Sequence, residues 1–194
     1  MRISLFPLHT VLYPGGPLPL RIFEARYLDM ISACLRDETP FGVLQIREGS
    51  ETGPAATYEV GTLARIVDWY MGSDGILGVT AVGEQRFRVR DAAAREDGLL
   101  TGVVDVIEDD AALPLPEEFL PLVQILDGVL DDLGRLYDEL PRRYDDAVWV
   151  GYRFAEILPF DPEQKQLCLE LADPLERLQL IRESLRDVRG VELA

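Results

Sequence analysis

The sequence predicts an α+β fold: a small β-barrel lobe with one inserted helix over residues 1–110, then a C-terminal α-helical bundle lobe over residues 111–194. Three observations predict it. Through Ile107 the apolar residues fall in short runs or alternate with polar ones, as in strands, and proline, glycine and Asp74-Gly75 punctuation separates the runs. From Pro116 onward they recur at three- and four-residue steps, as along one face of a helix. Between the two, EDDAALPLP at residues 108–116 combines a charge run with two prolines and reads as the boundary.

The opening, LFPLHTVLYPGGPLPLRIFEARYLDMISACL (residues 5–35), carries Pro7, Pro14, Pro17 and Pro19. Each removes a backbone donor, so no central strand is expected to run through them, and residues 3–6, 11–13 and 18–20 suit short edge or barrel strands. Tyr13-Pro14-Gly15-Gly16-Pro17 supplies a tight turn. From Phe23 the period changes: Phe23, Tyr27, Met30, Ile31, Cys34 and Leu35 share one helix stripe. Residues 41–47 read as a strand and EGSETGPAAT at 48–57 as a surface loop. Residues 61–70 and 76–82 form a hairpin through Asp74-Gly75. In residues 85–91 alternation is strict, with Phe87 and Val89 on one face and Arg86, Arg88 and Arg90 on the other. Residues 99–107 close the series. At least six short strands favour a closed or nearly closed barrel, which leaves no exposed edge.

In the helical part Pro116 suits a first turn, with Glu117 and Glu118 near its positive end. Phe119, Val123, Leu126, Leu130, Leu133, Leu136 and Leu140 continue the stripe, weakened at Gly128 and Gly134. A second helix at 144–158 carries Val148, Trp149, Tyr152, Ala155 and Ile157. Asp161-Pro162-Glu163-Gln164 and Asp173-Pro174-Leu175-Glu176 each place an N-cap aspartate, a first-turn proline and a Gln or Glu three positions after the cap. The last helix is expected to bury Leu178, Ile181, Leu185 and Val188 and to stop at Gly190.

On these residues the chain resembles a known family. FPLHTVLYPGGPLPLRIFEARYLDMI is similar to the opening of the Lon protease N-terminal domain, a substrate-binding module that also occurs as a small free-standing protein. YEVGTLARIV (58–67) with GEQRFRV (83–89), and then LPFDPEQKQLCLELADPLERLQL (158–180), resemble the same family in the same order, so the resemblance spans about residues 3–185. It implies a PUA-like barrel lobe and a helical lobe. For function it implies binding of unfolded proteins or a partner protein, without chemistry and without a cofactor. In that family unfolding and peptide cleavage belong to an ATPase and a Ser-Lys protease domain.

Composition narrows the classes. Hydrophobic residues at 47% and charged residues at 28% match a soluble globular protein rather than a disordered one. No apolar run approaches the roughly 20 residues of a membrane helix, and Met1-Arg2 leads straight into a strand pattern with no secretory signal, so a cytoplasmic location is expected. Cys34 and Cys168, far apart on predicted helices, read as buried small hydrophobes rather than a disulfide. The net charge of −16 disfavours nucleic acid as a partner. Most of it is central: residues 105–146 hold 13 acids and 3 bases, whereas residues 1–104 hold 13 and 10.

Motifs for chemistry are sparse. The only lysine, Lys165, lies between Gln164 and Gln166, so there is no P-loop. One histidine and two distant cysteines do not make a zinc pattern. A small hydrolase would have to bring His9 to a serine such as Ser4, Ser32, Ser50, Ser73 or Ser184. An RNA-binding module would use Arg86, Arg88 and Arg90 against phosphates, although no aromatic platform for bases stands beside that row. The preferred reading is protein binding by Tyr13, Pro14, Phe23, Tyr27, Trp69 and Tyr70, aromatic and proline residues of the opening and the hairpin. Within that set Phe23 and Tyr27 fit the core stripe of the first helix better than a groove. Trp69 and Tyr70 are adjacent in a strand, so at least one should be exposed. Arg21, Glu24 and Arg26 fit an internal clamp between strand and helix.

Overall fold

The computed structural model describes residues 1–108, 111–138 and 140–189. The chain divides into two compact units, Met1–Asp109 and Asp110–Ala194. The first is a seven-stranded sheet with one helix: β1 (Arg2–Leu8), β2 (Pro17–Ile22), α1 (Ala25–Asp37), β3 (Phe41–Gly49), β4 (Ala55–Thr57), β5 (Val60–Met71), β6 (Leu77–Ala94) and β7 (Leu100–Val106).

The pairing path β1-β7-β6-β5-β3 returns to β1, because β1 lies antiparallel to β7 over Arg2 to Leu5 and parallel to β3 over Leu5 to Leu8. This switch of neighbour explains why β1 runs through Pro7, against expectation. By Pro7 the β7 ladder has ended, and the missing N–H costs no bond on that side. Pro17 and Pro19 sit in β2, which pairs only β6 among the described strands. Residues 11–13 are not a strand. They are buried, and they dock through the Thr62 hydroxyl, which donates to Leu12 O at 2.5 Å, and through Gly15 N–H, which donates to Gly83 O at 2.8 Å. Residues 76–82 and 85–91 are one continuous strand, β6, whose register against β5 shifts twice. Side chains from β1, β2, β3, β5 and β6 meet Tyr27, Met30, Ile31 and Cys34 of α1 in the main core. Leu5, Leu44, Leu63, Phe87 and Val104 form a second one.

The second unit holds a one-turn 3-10 helix (Glu117–Phe119), α2 (Leu120–Leu133), α3 (Arg135–Asp138), α4 (Ala147–Ile157), α5 (Pro162–Glu170) and α6 (Pro174–Arg189). Gly134, at φ +64°, ends α2 rather than kinking it, because φ in that range suits glycine and not the helix. Asp146 caps α4 by accepting the Val148 N–H at 3.0 Å, which starts that helix later than residue 144. Asp161 makes the expected capping box with Gln164, and Asp173 accepts the Leu175 N–H at 2.8 Å. Leu178, Ile181 and Leu185 are buried as anticipated; Val188 and Gly190 lie outside the described side chains and residues.

Two arginines break the amphipathic pattern: Arg153 and Arg177 are both fully buried. Arg153 Nη1 lies 3.1 Å from Glu156 Oε2. Burial pushes the Glu156 carboxyl up, with Arg153 opposing, and lowers Lys165, whose ammonium donates to Glu156 O at 2.8 Å.

Both thiols are buried. Burial pushes Cys168 up to about 11, so the thiol stays neutral through ordinary pH, and the stability of the neutral form is lost as pH rises through that value. At pH 8 neither cysteine is expected to react with an aromatic disulfide reagent until guanidinium unfolds the chain. Prompt labelling of Cys168 in the folded protein would contradict its burial.

Candidate functional site

A groove of about 240 Å³ opens in the first unit beside β2, the end of β1 and the start of α1. Its position follows from strand alternation. Leu18, Leu20 and Ile22 of β2 face inward, while Pro19 and Arg21 face out. With Phe6, Leu8 and Tyr27 the inward residues supply the apolar lining; Thr10, Pro19, Arg21, Phe23, Glu24, Glu51 and Thr52 add the remainder. Phe6 and Tyr27 stack at 3.9 Å between ring centroids. Burial raises the Tyr27 phenol above its ordinary range, so it lines the groove as a neutral donor.

Arg26 ties the surroundings together. It donates to Glu24 Oε2 at 3.0 Å, to Gly98 O at 2.8 Å and to Glu51 O at 3.1 Å, and its guanidinium lies 4.6 Å from the Tyr27 ring centroid. Glu51 Oε1 in turn accepts the backbone N–H of His9 at 2.8 Å, which holds the 50–54 loop against the groove; β3 and β4 take the two ends of the longer loop expected at 48–57. The Arg26–Glu24 pair, two residues apart at the start of α1, does not join strand to helix as the expected clamp would. Arg21 instead points away to Asp74 in the β5–β6 turn. The Ile76 backbone N–H, and then Arg21, hold the Asp74 carboxyl below the usual carboxylate range.

The apolar surface continues along the ladder. Leu20, Val79 and Trp69 share one cross-strand row, and Ile22, Leu77 and Met71 another; opposed residues point to the same face. β3 pairs β5 only as far as Ala64, so the far half of β5 has β6 alone as a neighbour. Trp69, Tyr70 and Met71 are therefore more than half exposed at 55, 57 and 63%, although successive residues face opposite ways. Tyr70 lies over Gly78, where a Cβ would meet its ring at 2.3 Å.

Several expectations are corrected. Phe23 is not in the helix core: α1 starts at Ala25, and Phe23, in the bend before it, is 64% exposed at the groove. Tyr13 is fully buried and Pro14 half-buried, because residues 11–13 pack into the sheet instead of standing at its rim. Tyr27 joins both readings, being a core residue that also lines the groove. Met71, Leu20 and Glu51 were not anticipated. Only the β2–β6–β5 register brings the first two together, and the proline-bearing β2 carries no local sign of it.

The arginine row does not form one cationic face. Arg86 is buried, Arg88 lies 3.6 Å from Glu59, and Arg90 pairs with Asp105. A register shift between Val89 and Asp91 also interrupts the alternation. His9 is exposed and engages Glu51 through its backbone N–H, while Ser32 and Ser184 donate to carbonyls one turn back in their own helices. Among the described residues no group of three or more His, Cys, Asp or Glu side chains is placed to hold a metal ion, and no helix is long and apolar enough to cross a membrane.

A family model described as the ATP-dependent protease La (LON) substrate-binding domain matches residues 2–187. Lon protease 2 of Myxococcus xanthus is 29% identical over 203 residues, covering 97% of this chain and 24% of that protein. The chain thus spans about a quarter of the length of this relative. The crystal structure of a Lon N-terminal domain protein from Xanthomonas campestris superposes with a TM-score of 0.79 at 36% identity, covering 94% of this chain and 98% of that one. The N-terminal domain of the Mycobacterium avium complex Lon protease shares the fold, with a TM-score of 0.62 at 19% identity over 96% of this chain and 99% of that one. These matches lie in the substrate-binding domain and not in a protease domain.

Proposed function

The chain belongs to the ATP-dependent protease La (LON) substrate-binding domain family, and on that premise we propose that it is a non-catalytic, cytoplasmic module that captures exposed apolar segments of unfolded or partner proteins. The observation that carries the reading is the apolar groove bordered by Phe23, with Trp69 and Met71 exposed in rows continuous with its lining. Large, exposed aromatic and Met side chains beside a preformed concavity are the usual anchors of protein recognition.

The test is a triple substitution, Phe23→Ser, Trp69→Ser and Met71→Ser. All three side chains are more than half exposed, so their loss is expected to leave circular dichroism and the unfolding midpoint near wild type. Anchors each contribute on the order of 1–2 kcal/mol. Affinity for a fluorescently labelled, permanently unfolded carboxymethylated protein is therefore expected to fall at least about tenfold. An equally folded triple variant that binds as tightly as wild type would remove the groove from consideration.

A further inference from the structure

The charges and edge donors around this groove select among apolar segments, an inference that rests on the groove reading above. The nearby cations are already occupied: Arg21 pairs with Asp74, and Arg26 with Glu24. Glu51, exposed on the lining, is engaged at Oε1 by the His9 N–H and makes no ion pair among the described residues. The edge of β2 adds a second constraint. Gly83 N–H donates to Gly16 O, so residues 16, 18, 20 and 22 turn their backbone groups toward β6 and residues 17, 19 and 21 turn theirs outward. Pro17 and Pro19 have no N–H, and the outer edge offers Arg21 as its single backbone donor. A bound segment therefore meets three backbone acceptors and one donor at this edge, too few for a full added-strand ladder, which leaves side-chain chemistry to discriminate.

We propose that the groove takes extended apolar segments flanked by lysine or arginine, with the apolar side chains against Leu20, Ile22 and Phe23 and a flanking cation near Glu51. A second copy of this chain is the poorer occupant, because each copy carries a net charge of −16. Charge complementarity of this kind acts on encounter and specificity, and salt screens it.

Fluorescence anisotropy with three labelled peptides of one apolar core, flanked by Lys, Glu or Ser, tests the inference. The Lys-flanked peptide is expected to bind about tenfold tighter than the Glu-flanked one at low ionic strength, and about twofold tighter near 0.5 M salt. Glu51→Gln, which retains an acceptor for the His9 N–H, is expected to shrink the low-salt ratio. Equal affinity for all three peptides overturns the charge preference and leaves the groove reading standing. Binding of the Lys-flanked peptide that survives the Phe23, Trp69 and Met71 substitutions, or no binding by any peptide, overturns both.

Discussion

Arg177→Ala is expected to destabilise the helical unit by roughly 4 kcal/mol, more than most single substitutions. The side chain is fully buried. Its Nε donates to Cys168 O at 2.8 Å, and Nη2 donates to Leu171 O at 2.7 Å and to Tyr152 Oη at 3.2 Å; the guanidinium lies 3.9 Å from the Tyr152 ring centroid. Cys168 and Leu171 sit in the last turn and at the C-cap of α5, so Arg177 places a cation against the carbonyls at the negative end of that helix. Alanine would leave those carbonyls without this donor and open a cavity beneath Gly151, where the Arg177 stem packs. Trp149 belongs to this unit and Trp69 to the other, so fluorescence in a Trp69→Phe background follows the helical unit alone. Urea unfolding read by Trp149 should show a large fall in midpoint for Arg177→Ala. Arg177→Lys should fall between the two, since an ammonium keeps the charge but cannot span three acceptors. A loss below about 1 kcal/mol for alanine would mean that the buried guanidinium is energetically neutral.

Gly83→Ala is expected to be similarly severe in the sheet unit, at roughly 3–4 kcal/mol. A Cβ at Gly83 would sit 2.2 Å from Tyr13 O, a backbone atom that cannot swing aside. Relieving the clash requires moving residues 13–16, which breaks the Gly15 N–H to Gly83 O and Gly83 N–H to Gly16 O bonds and lifts buried Tyr13. Since β2 follows directly from Gly16, displacement would also disturb the groove lining, so unfolded-protein binding and stability should fall together. Thermal unfolding of the isolated variant is the check, with Gly75→Ala as the comparison: nothing lies within 4 Å of a Cβ there, and the cost is confined to its φ of +77°. Equal midpoints for the two variants would show that the 13–16 segment yields at little cost.

Much of the fold is legible in residues taken locally. The Asp161 and Asp173 caps announce their helices because the side chain, the proline and the following N–H groups lie within four positions of one another. The Tyr27, Met30, Ile31 and Cys34 stripe reads correctly because it is a repeat within one element. Burial of Arg153 and Arg177 is not legible. An arginine on a helix reads as solvated unless the carbonyl or carboxylate that receives it is known, and Cys168 O and Leu171 O are acceptors at positions that any residue type supplies. Arg86 is likewise buried although strict alternation assigns it to an outer face, because alternation tells which face a residue takes and not what packs over that face.

The groove divides the same way. Trp69 and Tyr70 are singled out by residue type, and Phe23 by type though not by environment. The sequence by itself determined the capped starts of α5 and α6 and the aromatic inventory, since each depends on residue type or chemistry over a few neighbouring residues. Which aromatics reach solvent was decided only in the tertiary structure. There β2 pairs β6 in one register, β5 outruns β3 after Ala64, and α1 begins two residues beyond Phe23. Register and strand ends are set by contacts between distant segments, and a shift of one residue would exchange the faces of Trp69 and Tyr70.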